Sequence, residues 1–155
     1  MWAPWRLSYV QKGNKKRKNA CMFCSKCRSK HDRKNYVIKR TKHSFALLNI
    51  FPYNNGHVMI VPKRHVADID DLGKHELLDM MNLLLDLKSR LKKKVKPHGF
   101  NIGINCGPVA GAGIADHVHM HVVPRWNGDT NFMPVFADVR VIPQSLDALY
   151  KLLKS

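Results

Sequence analysis

Acidic side chains are scarce in this chain: 11 Asp and Glu stand against 27 Lys and Arg in 155 residues, a formal net charge of +16 at pH 7. That imbalance points to an anionic partner, either nucleic acid or nucleotides that carry polyphosphate. Long apolar runs are missing as well, and none approaches the roughly 18 residues that a membrane span needs. The start, Met1-Trp2-Ala3-Pro4-Trp5-Arg6, has no apolar stretch of the secretory kind, so a cytoplasmic location without a membrane partner is expected. No zinc-finger repeat, helix-turn-helix pattern or RNA-binding aromatic cluster is present, so nucleic acid is not the favoured partner. Cysteines number four. In a reducing compartment they read as thiols or metal ligands rather than disulfides.

An apolar fraction of 45% suffices for one core in a chain of this length. The charge is uneven. Residues 1–44 hold 14 Lys and Arg and a single acid, Asp32, with the densest run at Lys15-Lys16-Arg17-Lys18. We therefore expect a basic, cysteine-bearing arm over residues 1–34, packed on a domain of residues 35–155. Within that domain, Tyr36 to Arg40, Ser44 to Ile50 and His57 to Pro62 read as strands, with Asn54-Asn55-Gly56 as a turn. Their closeness in the chain predicts an antiparallel meander. A long helix follows, capped by Asp70 or Asp71, with Leu77, Met81, Leu84, Leu87, Leu91 and Val95 on its apolar stripe and the Met80-Met81 pair in the core. Lys92-Lys93-Lys94 suit its negative end, and Pro97 and Gly99 stop it. Phe100 to Asn105 and His117 to Val123 read as two more strands around a loop from Gly107 to Gly113. Leu146 to Leu153 closes the chain as a short helix. The class is α+β: a five-stranded antiparallel sheet, one long helix and a short C-terminal helix.

The chemistry sits in Asp116-His117-Val118-His119-Met120-His121-Val122-Val123. Strand alternation puts His117, His119 and His121 on one face, about 7 Å apart, and Val118, Met120 and Val122 on the face a helix can cover. Three aligned imidazoles fill a core poorly, because each buried ring needs partners for both nitrogens. Two chemistries fit them: binding of a transition metal, or attack of one imidazole on phosphorus to form a covalent phosphoramidate. The loop with Gly111, Ala112, Gly113 and Ala115 favours the second, since its bare backbone N–H groups suit phosphate oxygens. Separately, Cys21-Met22-Phe23-Cys24 is a Cys-x2-Cys knuckle, overlapped by Cys24-Ser25-Lys26-Cys27. Two thiolates at that spacing can share one tetrahedral zinc, but two more ligands are needed.

The run from His117 to Val123 resembles the signature of the histidine triad (HIT) superfamily of nucleotide hydrolases and transferases. Three longer stretches are similar to its diadenosine tetraphosphate phosphorylase-like branch: Trp2 to Arg6, Leu48 to His57, and Ala110 through Pro134. The resemblance implies the HIT-like fold, a homodimer, and a nucleotide substrate such as a dinucleoside polyphosphate, cleaved through a nucleotidyl-histidine intermediate with phosphate or water as acceptor. Within the same superfamily a nucleoside phosphoramidase is the alternative activity; a basic nucleic-acid-binding module that keeps the fold without catalysis is the alternative of another class. The resemblance implies that His119 is the nucleophile, that His121 bonds the phosphate or leaving group, and that His117 and His57 complete the catalytic set. Asn49 falls where many members use Asp for the ribose hydroxyls, Leu47 and Ile50 flank the adenine, and Asn105 contacts phosphate. Gly113 stands where other branches carry Gln or Ser, which leaves backbone N–H groups of Gly113 and Ile114, beside Gly111, as the donors there; Arg125 is a further candidate donor. Trp126 would close over the base. For the metal, the resemblance implies Cys21, Cys24, His65 and His117 around a structural Zn2+, with Cys27 or His31 in rival sets. No organic cofactor is expected.

Overall fold

The computed structural model describes residues 21–129 and 143–154. The basic run Lys12 to Lys18, the Trp2 to Arg6 stretch and the segment from Thr130 through Pro134 lie outside the described residues. Two short helices open the described chain, α1 (Met22–Arg28) and α2 (Asp32–Asn35), followed by β1 (Val37–Arg40), β2 (Ser44–Leu48) and β3 (Val58–Pro62). A 3-10 turn (Ile69–Asp71) leads into α3 (Lys74–Val95), then β4 (Gly99–Ile104), β5 (Met120–Arg125) and α4 (Leu146–Lys154). The five strands form one antiparallel sheet in the order β1-β2-β3-β5-β4. The expected meander is its first half.

The central strands are covered on both faces, which explains their continuous apolar runs, while β4 at the edge stays largely exposed. One face carries Ile38, Ala46, Leu48, Val58, Ile60, Met120 and Val122 against Met80, Leu83, Leu84, Leu87 and Leu91 of α3 and Leu149, Tyr150 and Leu153 of α4. The other carries Val37, Phe45, Leu47, Met59 and Val61, with Phe23 of α1 buried among them. Every residue of β2 and β3 is buried. Fully burying one such aliphatic side chain contributes roughly 1.5–3 kcal/mol, so the α3 face carries much of the fold's stability.

Three expectations shift. The long helix starts later than Asp70 or Asp71, which lie in the 3-10 turn capped by Asp68. Its N-cap is Gly73, whose N–H donates to the Glu76 carboxylate at 2.8 Å, and Arg64 holds that carboxylate from the other side at 2.7 Å. Met81 is exposed at 46% whereas Met80 is at 1%, because α3 is apolar over too wide an arc and only the Met80–Leu84–Leu87–Leu91 side meets the sheet. Finally, the last strand begins at Met120 rather than His117. The β3 ladder stops at Ile60↔Met120; past it Pro62 has no N–H to give, and Val118 N–H bonds instead to the Val66 carbonyl at 2.8 Å. His117 to His119 therefore form an extended approach to β5.

Candidate active site and metal cluster

His57 precedes β3 and His121 lies in β5, and the Met59↔His121 register sets the two rings on one face. That face also holds His119. A tight turn delivers His57: Gly56 has φ +75°, and a Cβ there would stand 3.0 Å from Pro124 Cγ. Asn54 ties the same turn to the end of β5, donating to the Asp129 carboxylate at 2.7 Å and to the Pro124 carbonyl at 3.2 Å.

The hydrogen bonds assign each ring its proton. Tyr53 N–H donates to His57 Nδ1 at 3.0 Å, so His57 carries its proton on Nε2 and gives it to His121 Nδ1 at 2.9 Å. His121 is then protonated on Nε2. His119 Nδ1–H donates to the carbonyl of His117 at 2.9 Å, which leaves the lone pair on Nε2. His119 and His121 lie edge to face with centroids 4.8 Å apart. Burial lowers the pKa of His119, and burial with the neighbouring His119 lowers that of His121 to about 4. At neutral pH the pair presents one bare nitrogen and one N–H donor.

Of the other sequence-marked residues, Asn49 joins the histidines, its amide 3.4 Å from His57 Nδ1 and its Oδ1 accepting Phe51 N–H at 2.9 Å. Leu47 is buried on the face of the sheet that carries the histidines, and Ile50 is exposed. Asn105 donates to the Gly111 carbonyl at 3.3 Å and so pins the loop that carries Gly113 and Ile114. Trp126 is not brought to the histidines: it follows β5, about 17 Å along the strand from His121, and its indole N–H donates to the Lys96 carbonyl at 3.1 Å. Arg125 is engaged with Asp129 at 2.6 Å and with Asn101 at 2.7 Å. Sequence reasoning missed Tyr53, whose ring stacks on His121 at 5.6 Å and His57 at 4.7 Å. Phe23, read as a core aromatic within the knuckle, is indeed buried, but its contact with His119 was not foreseen. The aromatic ring inside each motif was the signal available.

Cys21, Cys24, His65 and His117 bring one ligand atom each within 4.8 Å of one another. His117 donates Nε2–H to the Pro62 carbonyl at 2.9 Å, so its Nδ1 lone pair faces the other three. Nδ1 lies 3.2 Å from His65 Nδ1 and 3.3 Å from Cys21 Sγ, and Cys24 Sγ is 3.4 Å from His65 Nδ1. Tetrahedral ligation with bonds near 2.05 Å to nitrogen and 2.3 Å to sulfur requires separations of about 3.3–3.8 Å, the longest between the two sulfurs. The donors fit. Burial, helped by Cys21, raises the Cys24 thiol pKa, a penalty that a bound cation reverses. Among the described residues, the grouping of ligand atoms does not include Cys27, which packs against the apolar cluster, or His31, the N-cap of α2.

The HIT domain family model matches residues 30–128. Over 158 aligned residues the chain is 37% identical to an AP-4-A phosphorylase of Mycobacterium tuberculosis, covering 99% of this chain and 81% of that protein. It is 35% identical over 106 residues to adenosine 5'-monophosphoramidase of Saccharomyces cerevisiae, covering 68% of this chain and 63% of that protein. Among solved structures, a Zn-bound histidine triad family protein from Mycobacterium smegmatis matches with a TM-score of 0.70 at 27% identity, covering 87% of this chain and 91% of that one. Among the described residues, no helix is long and apolar enough to cross a membrane.

Proposed function

The chain belongs to the HIT domain family, and from that premise we propose that it is an enzyme that cleaves dinucleoside polyphosphates such as diadenosine tetraphosphate, transferring an adenylyl group through His119 to phosphate or water. His119 Nε2 attacks the α-phosphorus in line. A P–N bond forms, the bond to the bridging oxygen breaks, and with diadenosine tetraphosphate the leaving group is ATP. Phosphate or water then attacks the same phosphorus; the P–N electrons return to Nε2, and ADP or AMP is released. His121 Nε2–H bonds an oxygen that gathers charge, and the Tyr53–His57 chain keeps that proton outward. Loop N–H groups at Gly111, Gly113 and Ile114 are the further donors, and Asn49, Ile50 and Leu47 are the nucleoside side of the site.

The observation that carries this reading is the His119 Nδ1–H bond to the His117 carbonyl, which leaves the outer nitrogen nucleophilic. His119→Ala is expected to lower turnover by about 10³-fold or more, with nucleotide binding within about threefold of wild type. Near-normal turnover of diadenosine tetraphosphate by that variant refutes the assignment. The likeness to a monophosphoramidase supports a second reading, and products separate the two: ADP with ATP for phosphorolysis, AMP with ATP for hydrolysis, and preferential cleavage of an adenosine phosphoramidate for the alternative.

The metal is read as Zn2+, which four protein ligands would hold closed and structural. It joins the arm, taken as residues 1–34, to the domain of residues 35–155; Arg40 adds bonds to the carbonyls of Lys26, Cys27 and Ser29 at 2.7–3.0 Å. A cytoplasmic homodimer is the assembly we favour, and the exposed Leu78, Met81 and Leu85 of α3 offer it an apolar surface.

A further inference from the structure

Phe23 has no part in the chemistry above, yet it is 0% exposed and lies against the His119 ring. Its centroid is 5.0 Å from His119 at 52° and 5.4 Å from His117 at 75°. The residue stands in the first turn of α1, between Cys21 at the N-cap and Cys24. Its backbone is therefore fixed on both sides by residues of the metal cluster. Among the described residues, one hydrogen bond and two ring contacts bear on His119: the His117 carbonyl at Nδ1, the edge of His121, and the Phe23 ring. The first sets the tautomer but does not by itself fix the plane of the ring. The other two are ring contacts, and of these Phe23 comes from outside β5 and its approach.

We propose that Phe23 is a positioning residue for His119, held by the metal-binding cysteines on either side of it, so that metal occupancy sets the aim of the nucleophilic nitrogen. The inference rests on the adenylyl-transfer reading for its kinetic arm alone. Near-attack geometry tolerates little error, since a displacement of about 1 Å can lower a rate on the order of 100-fold. Phe23→Ala removes the ring contact and leaves all four metal ligands. Phe23→Leu restores bulk without the flat edge.

The test compares wild type, Phe23→Ala and Phe23→Leu, each with and without chelator. It reads metal content, the single-turnover rate of His119 adenylylation, KM, and the imidazole nitrogen signals of His119 by NMR. Phe23→Ala is expected to keep one metal per chain, to form the adduct roughly 10–100-fold more slowly with KM within about threefold, and to broaden the His119 signal. Phe23→Leu recovers most of the rate. Chelation brings wild type to the Phe23→Ala level and changes Phe23→Ala little further, because both act on the same contact. A metal-loaded Phe23→Ala with wild-type rate and a sharp His119 signal overturns the proposal. So does chelation that slows wild type and Phe23→Ala by equal factors. If wild type forms no adduct while its His119 signal still responds to Phe23→Ala and chelation, the adenylyl-transfer reading fails and the positioning of His119 stands.

Discussion

His117 and His119 stand two residues apart and are both buried, yet their rings are wired in opposite senses. His117 spends its Nε2–H on the carbonyl of Pro62 and turns Nδ1 toward Cys21, Cys24 and His65. His119 spends its Nδ1–H on the carbonyl of His117 and keeps Nε2 bare. In each case a backbone carbonyl decides which nitrogen is available. One histidine thereby turns a lone pair toward the cysteine cluster, and its neighbour keeps one for the nucleophilic role we propose. What separates the two regions is the acceptor each ring finds, and with it the direction in which the remaining lone pair points.

The contrast is broken most severely at either end of the pair. His119→Ala is the larger loss, in turnover, and it leaves metal content close to wild type. Cys24→Ser is the converse. It is expected to lose tight metal binding and with it about 4 kcal/mol of stability at metal 1,000-fold above its dissociation constant, seen as a melting temperature lower by roughly 10 °C. Metal analysis with thermal melts in excess zinc checks it. A Cys24→Ser protein that keeps one tightly bound metal and melts as wild type shows that the cluster is not the metal site.

How much of this could be read beforehand differs between the regions for physical reasons. The alternation of Val118, Met120 and Val122 with the histidines foretold which face α3 covers, because side-chain period is local. The start of α3 was misplaced because Asp70 and Asp71 are taken up by the 3-10 turn, and the Gly73–Glu76 capping box that starts the helix lacks the usual Ser or Thr, its Glu76 being held from outside by Arg64. Met81 was misread because apolar residues fill more of α3 than the sheet can cover. The type of each site histidine was evident in the chain, and the metal ligands came from family likeness. Which nitrogen each ring offers was not evident, since it depends on Pro62 ending a ladder and on a carbonyl two residues back. Tyr53 and Phe23 were marked only as aromatic rings inside motifs, and nothing local says which histidine each would meet.

The finest cut separates burial from metal within the same row of rings. His121 stands outside the metal cluster and its folded pKa is lowered to about 4, chiefly by burial. A group that binds its proton more weakly when folded leaves the unfolded chain to take up protons first. Stability should therefore be fully present above about pH 6.5, fall as the pH drops toward 4, and level off below that. The loss from this ring is at most about 3 kcal/mol, the value of the full shift between those limits. Metal ligands protonate in acid too, so wild type is compared with His121→Gln, both metal-loaded, by urea unfolding from pH 7.5 to 5. His121→Gln should lose stability less steeply than wild type across that range. Parallel curves would mean that His121 titrates alike folded and unfolded. A steeper variant would mean that its imidazolium is favoured by the fold, and the neutral donor assigned to it would have to be withdrawn.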